Sequence, residues 1–158
     1  MTNITILNKS HISECIKLIN FDIKDKIYFE NHGWTKKELF NQFEKKINFT
    51  IGYFDNNKLV AFIIGDLIFI EKISEYEILF IYVKNDYRKK GIADQLLKYL
   101  YRTKELGNLK KIFLEVACNN SFAIKLYEKN GFSKINKRKN YYLIDGKKID
   151  ALCYIKQV

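Results

Sequence analysis

The chain has 158 residues, 47% of them hydrophobic and 15% aromatic, which suits one packed domain over residues 1–158 and excludes general disorder or a fibrous repeat. Its 28 Lys and Arg against 18 Asp and Glu leave a formal charge of +10, a balance that attracts nucleic acid, anionic cofactors or acidic partners. Because 25 of those basic residues are Lys and Pro is absent, much of the charge reads as a compositional background, and the positions of the three Arg and seven Gly are more informative than the total.

Ile4 and Ile6 alternate with polar neighbours as in a short strand. Ser10 is placed to cap a helix whose apolar residues Ile12, Cys15, Ile16 and Ile19 follow the helical period. Trp34 precedes Thr35-Lys36-Lys37-Glu38, a capping-box pattern that opens a second helix through Leu39, Phe40 and Phe43. From Phe49 the texture turns to β-branched and aromatic runs, with strands at Phe49–Phe54, Leu59–Ile70 and Tyr76–Val83. The first two form a hairpin around Asp55-Asn56-Asn57, and Gly65 marks a bulge in the second. After the basic loop Lys84–Lys90, Gly91 begins a helix with Ile92, Leu96 and Leu100 on one face and Gly107 at its end. A strand at Ile112–Ala117 leads to Asn119 or Asn120, either able to cap a helix Ser121–Asn130 that Gly131 stops. Phe132–Tyr142 and Lys148–Ile155 close the chain as a hairpin around Asp145-Gly146.

The predicted order is therefore β-α-α-β-β-β-α-β-α-β-β, an α/β fold on a mixed sheet. The crossover through the Gly91 helix makes Tyr76–Val83 and Ile112–Ala117 parallel. Three scattered Cys (Cys15, Cys118, Cys153) indicate neither a disulfide framework nor a metal site. Met1–Ser13 lacks a signal-peptide pattern, and the apolar stretch Leu59–Ile70 is short and interrupted by Gly65 and Asp66, so a cytoplasmic protein without membrane contact is expected.

Arg88-Lys89-Lys90-Gly91-Ile92-Ala93 lies between a strand and a helix start. Unpaired N–H groups at such a start, with Gly91 allowing close approach, suit a pyrophosphate. A solvated basic loop ahead of an ordinary helix explains the same residues equally well. By spacing alone Glu115 is a surface residue alternating with Leu114 and Val116, and Tyr127 a packed aromatic on an amphipathic helix. Cys118 could be a covalent nucleophile, yet no His is near it in sequence, since His11 and His32 are both N-terminal; chemistry without a covalent intermediate is simpler.

Strand, Arg88-x-x-Gly91-x-Ala93, helix resembles the pyrophosphate loop of the GNAT family of N-acetyltransferases. Glu77–Val83, Leu114-Glu115-Val116, Asn120, Ala123-Ile124-x-Leu126-Tyr127-Glu128, Asn130-Gly131-Phe132 and Arg138-Lys139-Asn140-Tyr141-Tyr142 resemble its ribosomal-protein-alanine branch, as does Trp34-Thr35. The resemblance implies a mostly antiparallel central sheet splayed between the fourth and fifth strands, acetyl-CoA as co-substrate, and no metal. It implies Glu115 as general base and Tyr127 as proton donor to the leaving thiolate. Cofactor contacts would come from Ile81, Tyr82 and Val83, from Arg88, Lys89, Lys90, Gly91, Ile92, Ala93 and Asp94, and from Asn120. Trp34, Arg138, Tyr141 and Tyr142 would lie on the acceptor side. The implied acceptor is a protein N-terminus, the Ala of a small-subunit ribosomal protein, with no nucleic acid required and a monomer or weak dimer as the working unit. Asp94 departs from the family, placing an acid where a base is common. Two alternatives remain: acetylation of a polyamine or aminoglycoside, for which only Asp66, Glu71 and Glu75 offer carboxylates, and a non-catalytic RNA- or ribosome-binding module.

Overall fold

The computed structural model describes residues 2–158. Strands β1 (Thr2–Leu7), β2 (Thr50–Asp55), β3 (Lys58–Ile70), β4 (Ile73–Val83), β5 (Leu109–Ala117), β6 (Ser133–Ile144) and β7 (Lys147–Gln157) form one sheet in the order β1-β2-β3-β4-β5-β7-β6. Every neighbouring pair is antiparallel except β4 and β5, which are joined through a helix. Helices α1 (Ile12–Ile19), α2 (Ile23–Asn31) and α3 (Lys36–Glu44) contribute to one core with Phe62, Phe80 and Tyr82, and α4 (Ile92–Arg102) and α5 (Ser121–Lys129) contribute to the other with Tyr76, Ile78 and Leu114. Apolar residues on both faces explain why β3 is buried almost continuously from Leu59 to Leu67.

Four readings need correction, the last being the strand that carries the bulge. Two helices were expected between the first two strands, and there are three. The extra one, α2, buries only Asp25 and Phe29 and so lacks an apolar stripe; its start is signalled by Asp22, whose carboxylate accepts from the N–H of Lys24 and Asp25. Ser10 is not the cap of α1: Asn8 caps a short 3-10 turn ahead of it, with His11 closing the box. Gly107 ends a separate turn, Lys104–Leu106, because α4 already stops at Arg102.

The bulge falls opposite Gly65, but the extra residue is on β4: Ile64 pairs with Phe80 and Gly65 with Ile78, leaving Leu79 over. This insertion reverses the alternation of β4. Tyr76 and Ile78 pack into the α4–α5 core, whereas Phe80 and Tyr82 pack into the α1–α3 core. Pairing of β4 with β5 runs only to Ile78↔Leu114, so the two strands part at the bulge.

Candidate active site

Where β4 and β5 separate, a cleft of about 530 Å³ opens between Ile81, Tyr82 and Val83 on one side and Val116, Ala117, Asn120 and Tyr127 on the other. Beyond Ile78 the β4 edge facing β5 has no strand partner, leaving backbone donors and acceptors for a ligand that lies like an added strand.

Past Val83 the chain turns through Asn85–Tyr87 into the basic loop. Lys89 at φ 60° and Gly91 at φ 74° both take left-handed backbone conformations, and no side chain caps α4. The first helical bond is from the Gln95 N–H to the Gly91 carbonyl, so the N–H groups of Ile92, Ala93 and Asp94 precede it and suit an anion. The loop's side chains are largely engaged elsewhere. Arg88 donates from Nε to the Val83 carbonyl at 2.8 Å and from Nη2 to Asp25 at 2.6 Å. Asp25 also accepts from the Tyr82 hydroxyl at 2.8 Å, which ties the loop to α2. Lys90 lies 5.2 Å from the centre of the Tyr87 ring, and the Ile92 side chain is in the core. Asp94 binds Lys98 at 2.7 Å and accepts from Asn130 at 2.9 Å. Those bonds hold its carboxyl below the ordinary range and link α4 to α5. Of Arg88 through Asp94 only Arg88 lines the cleft.

A Cβ at Gly91 would meet nothing within 4 Å, so Gly91→Ala costs backbone strain of about 1–2 kcal/mol for the left-handed conformation. If the loop cradles phosphate, the same change weakens acetyl-CoA binding at least about tenfold by crowding the amides. Calorimetry against a thermal melt checks both values; unchanged affinity would move the phosphates elsewhere.

A second cavity of about 680 Å³ lies beside the cleft, lined by Trp34, Tyr141, Tyr142, Glu38, Lys45 and Glu77 among others. The two cavities share His32, Ile78, Leu79, Glu115 and Tyr142. Glu115 sits at this junction, where its carboxylate accepts from Arg138 Nη1 at 2.7 Å and lies 3.6 Å from the Cys153 sulfur. The Arg138 guanidinium lies 4.1 Å from the centre of the Tyr141 ring. Arg138 therefore holds Glu115 and is not part of the groove wall. Tyr127 is 7% exposed, packs against Phe132 and lines the cleft; burial pushes its phenol well above the ordinary value. Asn120 serves twice: its Oδ1 accepts from the Ala123 N–H at 3.1 Å, capping α5, and its Nδ2 donates to the Tyr28 hydroxyl at 3.1 Å.

Three residues escaped the sequence reading. Tyr28 and His32 arrive with the unrecognised α2 and the residue that caps its end. Glu77 borders the groove near Glu115, and its carboxyl is raised by burial and then by the charges of Glu115 and Asp66, against Lys45 and Arg138. Its polar side chain between Tyr76 and Ile78 was the available signal. The carboxylates expected near the acceptor are absent from the groove lining: Asp66 is bound by Gln42 and Lys45, Glu75 by Lys111, and Glu71 lies just beyond the end of β3. Among the described residues no three His, Cys, Asp or Glu gather as metal ligands, and no helix is long and apolar enough to cross a membrane.

Residues 17–132 match the acetyltransferase (GNAT) family. Over 120 residues, 75% of this chain and 77% of the other, the sequence is 32% identical to the [ribosomal protein bS18]-alanine N-acetyltransferase of Escherichia coli K12. The crystal structure of the Escherichia coli ribosomal-protein-S18-alanine N-acetyltransferase superposes with a TM-score of 0.74 at 24% identity, covering 100% of this chain and 94% of that one. Arabidopsis thaliana NAA60 in complex with acetyl-CoA superposes at 0.76 with 18% identity, covering 100% and 99%.

Proposed function

The chain belongs to the acetyltransferase (GNAT) family, and from that premise we propose that it transfers acetyl from acetyl-CoA to the N-terminal α-amino group of a protein, an Ala-initiated small-subunit ribosomal protein being the favoured acceptor. It is an N-acetyltransferase with acetyl-CoA as its co-substrate. The observation that carries the acceptor reading is the meeting of the cleft and the groove at Glu115: a thioester entering along the β4 edge would encounter an amine entering from the side of Trp34 and Tyr142.

The α4 start and the parted β4 edge would hold the pyrophosphate and pantetheine through backbone groups, with Asn120 beside them. A free N–H on that edge would polarise the thioester carbonyl. An α-ammonium of pKa about 8 must lose a proton before it attacks. Glu115, oriented by Arg138, faces that nitrogen and draws a proton from it directly or through one water. Attack on the carbonyl carbon breaks the C–S bond, and Tyr127 protonates the departing sulfur, its raised pKa keeping the phenol a donor at neutral pH.

A second reading, acetylation of a small polycationic amine, also draws on the groove. Glu30, Glu38 and Glu77 join Glu115 along its wall, against Lys45, more carboxylates than the sequence suggested. A panel of short peptides differing in the first residue, with spermidine as a further arm and free thiol as readout, separates the two. Preference for an Ala start is expected. Turnover of spermidine alone would replace the N-terminal reading.

A further inference from the structure

His32 stands at the junction of cleft and groove, and its ring is fixed from several sides. It lies 4.1 Å from the Tyr28 ring, 5.2 Å from Tyr142 and 6.0 Å from Phe80, centre to centre. Its Nδ1 is 2.7 Å from the Tyr28 backbone carbonyl. A carbonyl can only accept, so Nδ1 carries the hydrogen and Nε2 is left with its lone pair. Burial lowers the imidazole pKa, opposed by that bond to the carbonyl, so the ring is neutral at pH 7.

We propose that His32 is a catalytic residue, its Nε2 accepting the proton that the acceptor amine must lose before attack. The proposal rests on reading this junction as the place where amine meets thioester, and it adds a second base to Glu115. Reference pKa values show why one is useful: proton transfer from an α-ammonium to a carboxylate is unfavourable by about 3,000-fold, and to an imidazole by only about 20-fold. Lowering of the imidazole pKa widens the second gap, but it also keeps the base unprotonated and ready. The protons balance. The first leaves the ammonium for Nε2 and then solvent; the second leaves the nitrogen after attack for Glu115, and from there replaces on Tyr127 the proton given to sulfur as the C–S bond breaks.

The charged groups lining the two cavities that meet at this ring are Lys24, Asp25 and Glu30 on α2, Glu38 on α3 with Lys45 after it, Glu77 on β4, Arg88 in the loop and Glu115 on β5, the last bonded to Arg138 on β6. The phenols of Tyr28, Tyr127 and Tyr142 are all raised and stay neutral through the pH range concerned. As pH falls through the lowered pKa of His32, the ring protonates and kcat drops. His32→Phe keeps the aromatic packing and removes the base. At pH 7 and saturating peptide its kcat is expected about 100-fold below wild type. The acid limb due to the imidazole should be lost while acetyl-CoA affinity stays within about twofold. In His32→Ala, added imidazole should restore part of the rate; in Glu115→Gln the limb should persist. A kcat in His32→Phe within about threefold of wild type overturns the proposal, as does a fall that leaves the limb in place and is not lifted by imidazole. Should His32→Phe not bind acetyl-CoA, His32→Asn, which keeps a donor toward Tyr28, decides by the same readings. Failure of wild type on every amine in the panel would instead sink the acetyl-transfer reading of the site.

Discussion

Gly65→Ala is expected to lower stability by about 4 kcal/mol and the melting temperature by about 10 °C, the sum of an overpacked core and a displaced buried hydrogen bond. A Cβ at Gly65 would collide with the phenol of Tyr76 and lie 2.6 Å from the Glu77 carbonyl oxygen. Tyr76 is fully buried, and its hydroxyl donates to the Phe49 carbonyl at 2.6 Å. Neither group can move freely: the phenol is wedged in the core and the carbonyl belongs to β4. The strain falls next to Leu79, the extra residue that reverses the face of β4. Tyr76→Phe in the same chain should recover part of the loss by removing the outermost clashing atom. A Gly65→Ala melt within about 1 kcal/mol of wild type would show that β3 and β4 can separate there at little cost.

Glu115→Gln and Tyr127→Phe are each expected to reduce kcat about 100-fold while leaving acetyl-CoA affinity unchanged. Glu115→Gln removes the anion at the cavity junction. The Arg138 side chain it leaves behind is 51% exposed, so water can solvate it and the fold should barely respond. Tyr127→Phe keeps the ring against Phe132 and removes the proton donor. The sign of the pH dependence follows from burial: because the phenol is raised, it stays protonated well into alkaline solution, and wild-type kcat should show no alkaline decline from Tyr127 near pH 9–10, about where an ordinary phenol begins to ionise. Wild-type rates in either variant, measured by thiol release at saturating acetyl-CoA, would remove that residue from the mechanism.

Much of the fold could be read along the chain because its signals are local. Asn56 and Asn57, both at positive φ, turn the β2–β3 hairpin, and Asn120 caps α5. Gly91 at φ 74° starts α4 in a conformation that Gly adopts at little cost. By contrast α2 shows no apolar stripe, and what it packs against is remote in sequence: Tyr82 on β4 and Arg88 in the loop reach Asp25, and Asn120 reaches Tyr28. Periodicity cannot register such partners.

The sequence alone determined the order of strands in the chain, the parallel crossover and the loop before α4, since each depends on local turns, caps or spacing; Glu115 and Tyr127 became candidates only through the family resemblance, because spacing reads them as a surface residue and a packed aromatic. Tertiary structure decided how they act together. One extra residue at Leu79 turns β4 over and parts it from β5, opening the cleft. Asp25 draws Arg88 aside, Asp94 is ion-paired with Lys98 of α4 and Lys129 of α5, and His32 comes to the junction with Glu115. These arrangements depend on contacts between residues distant in the chain, which only the packed fold can specify.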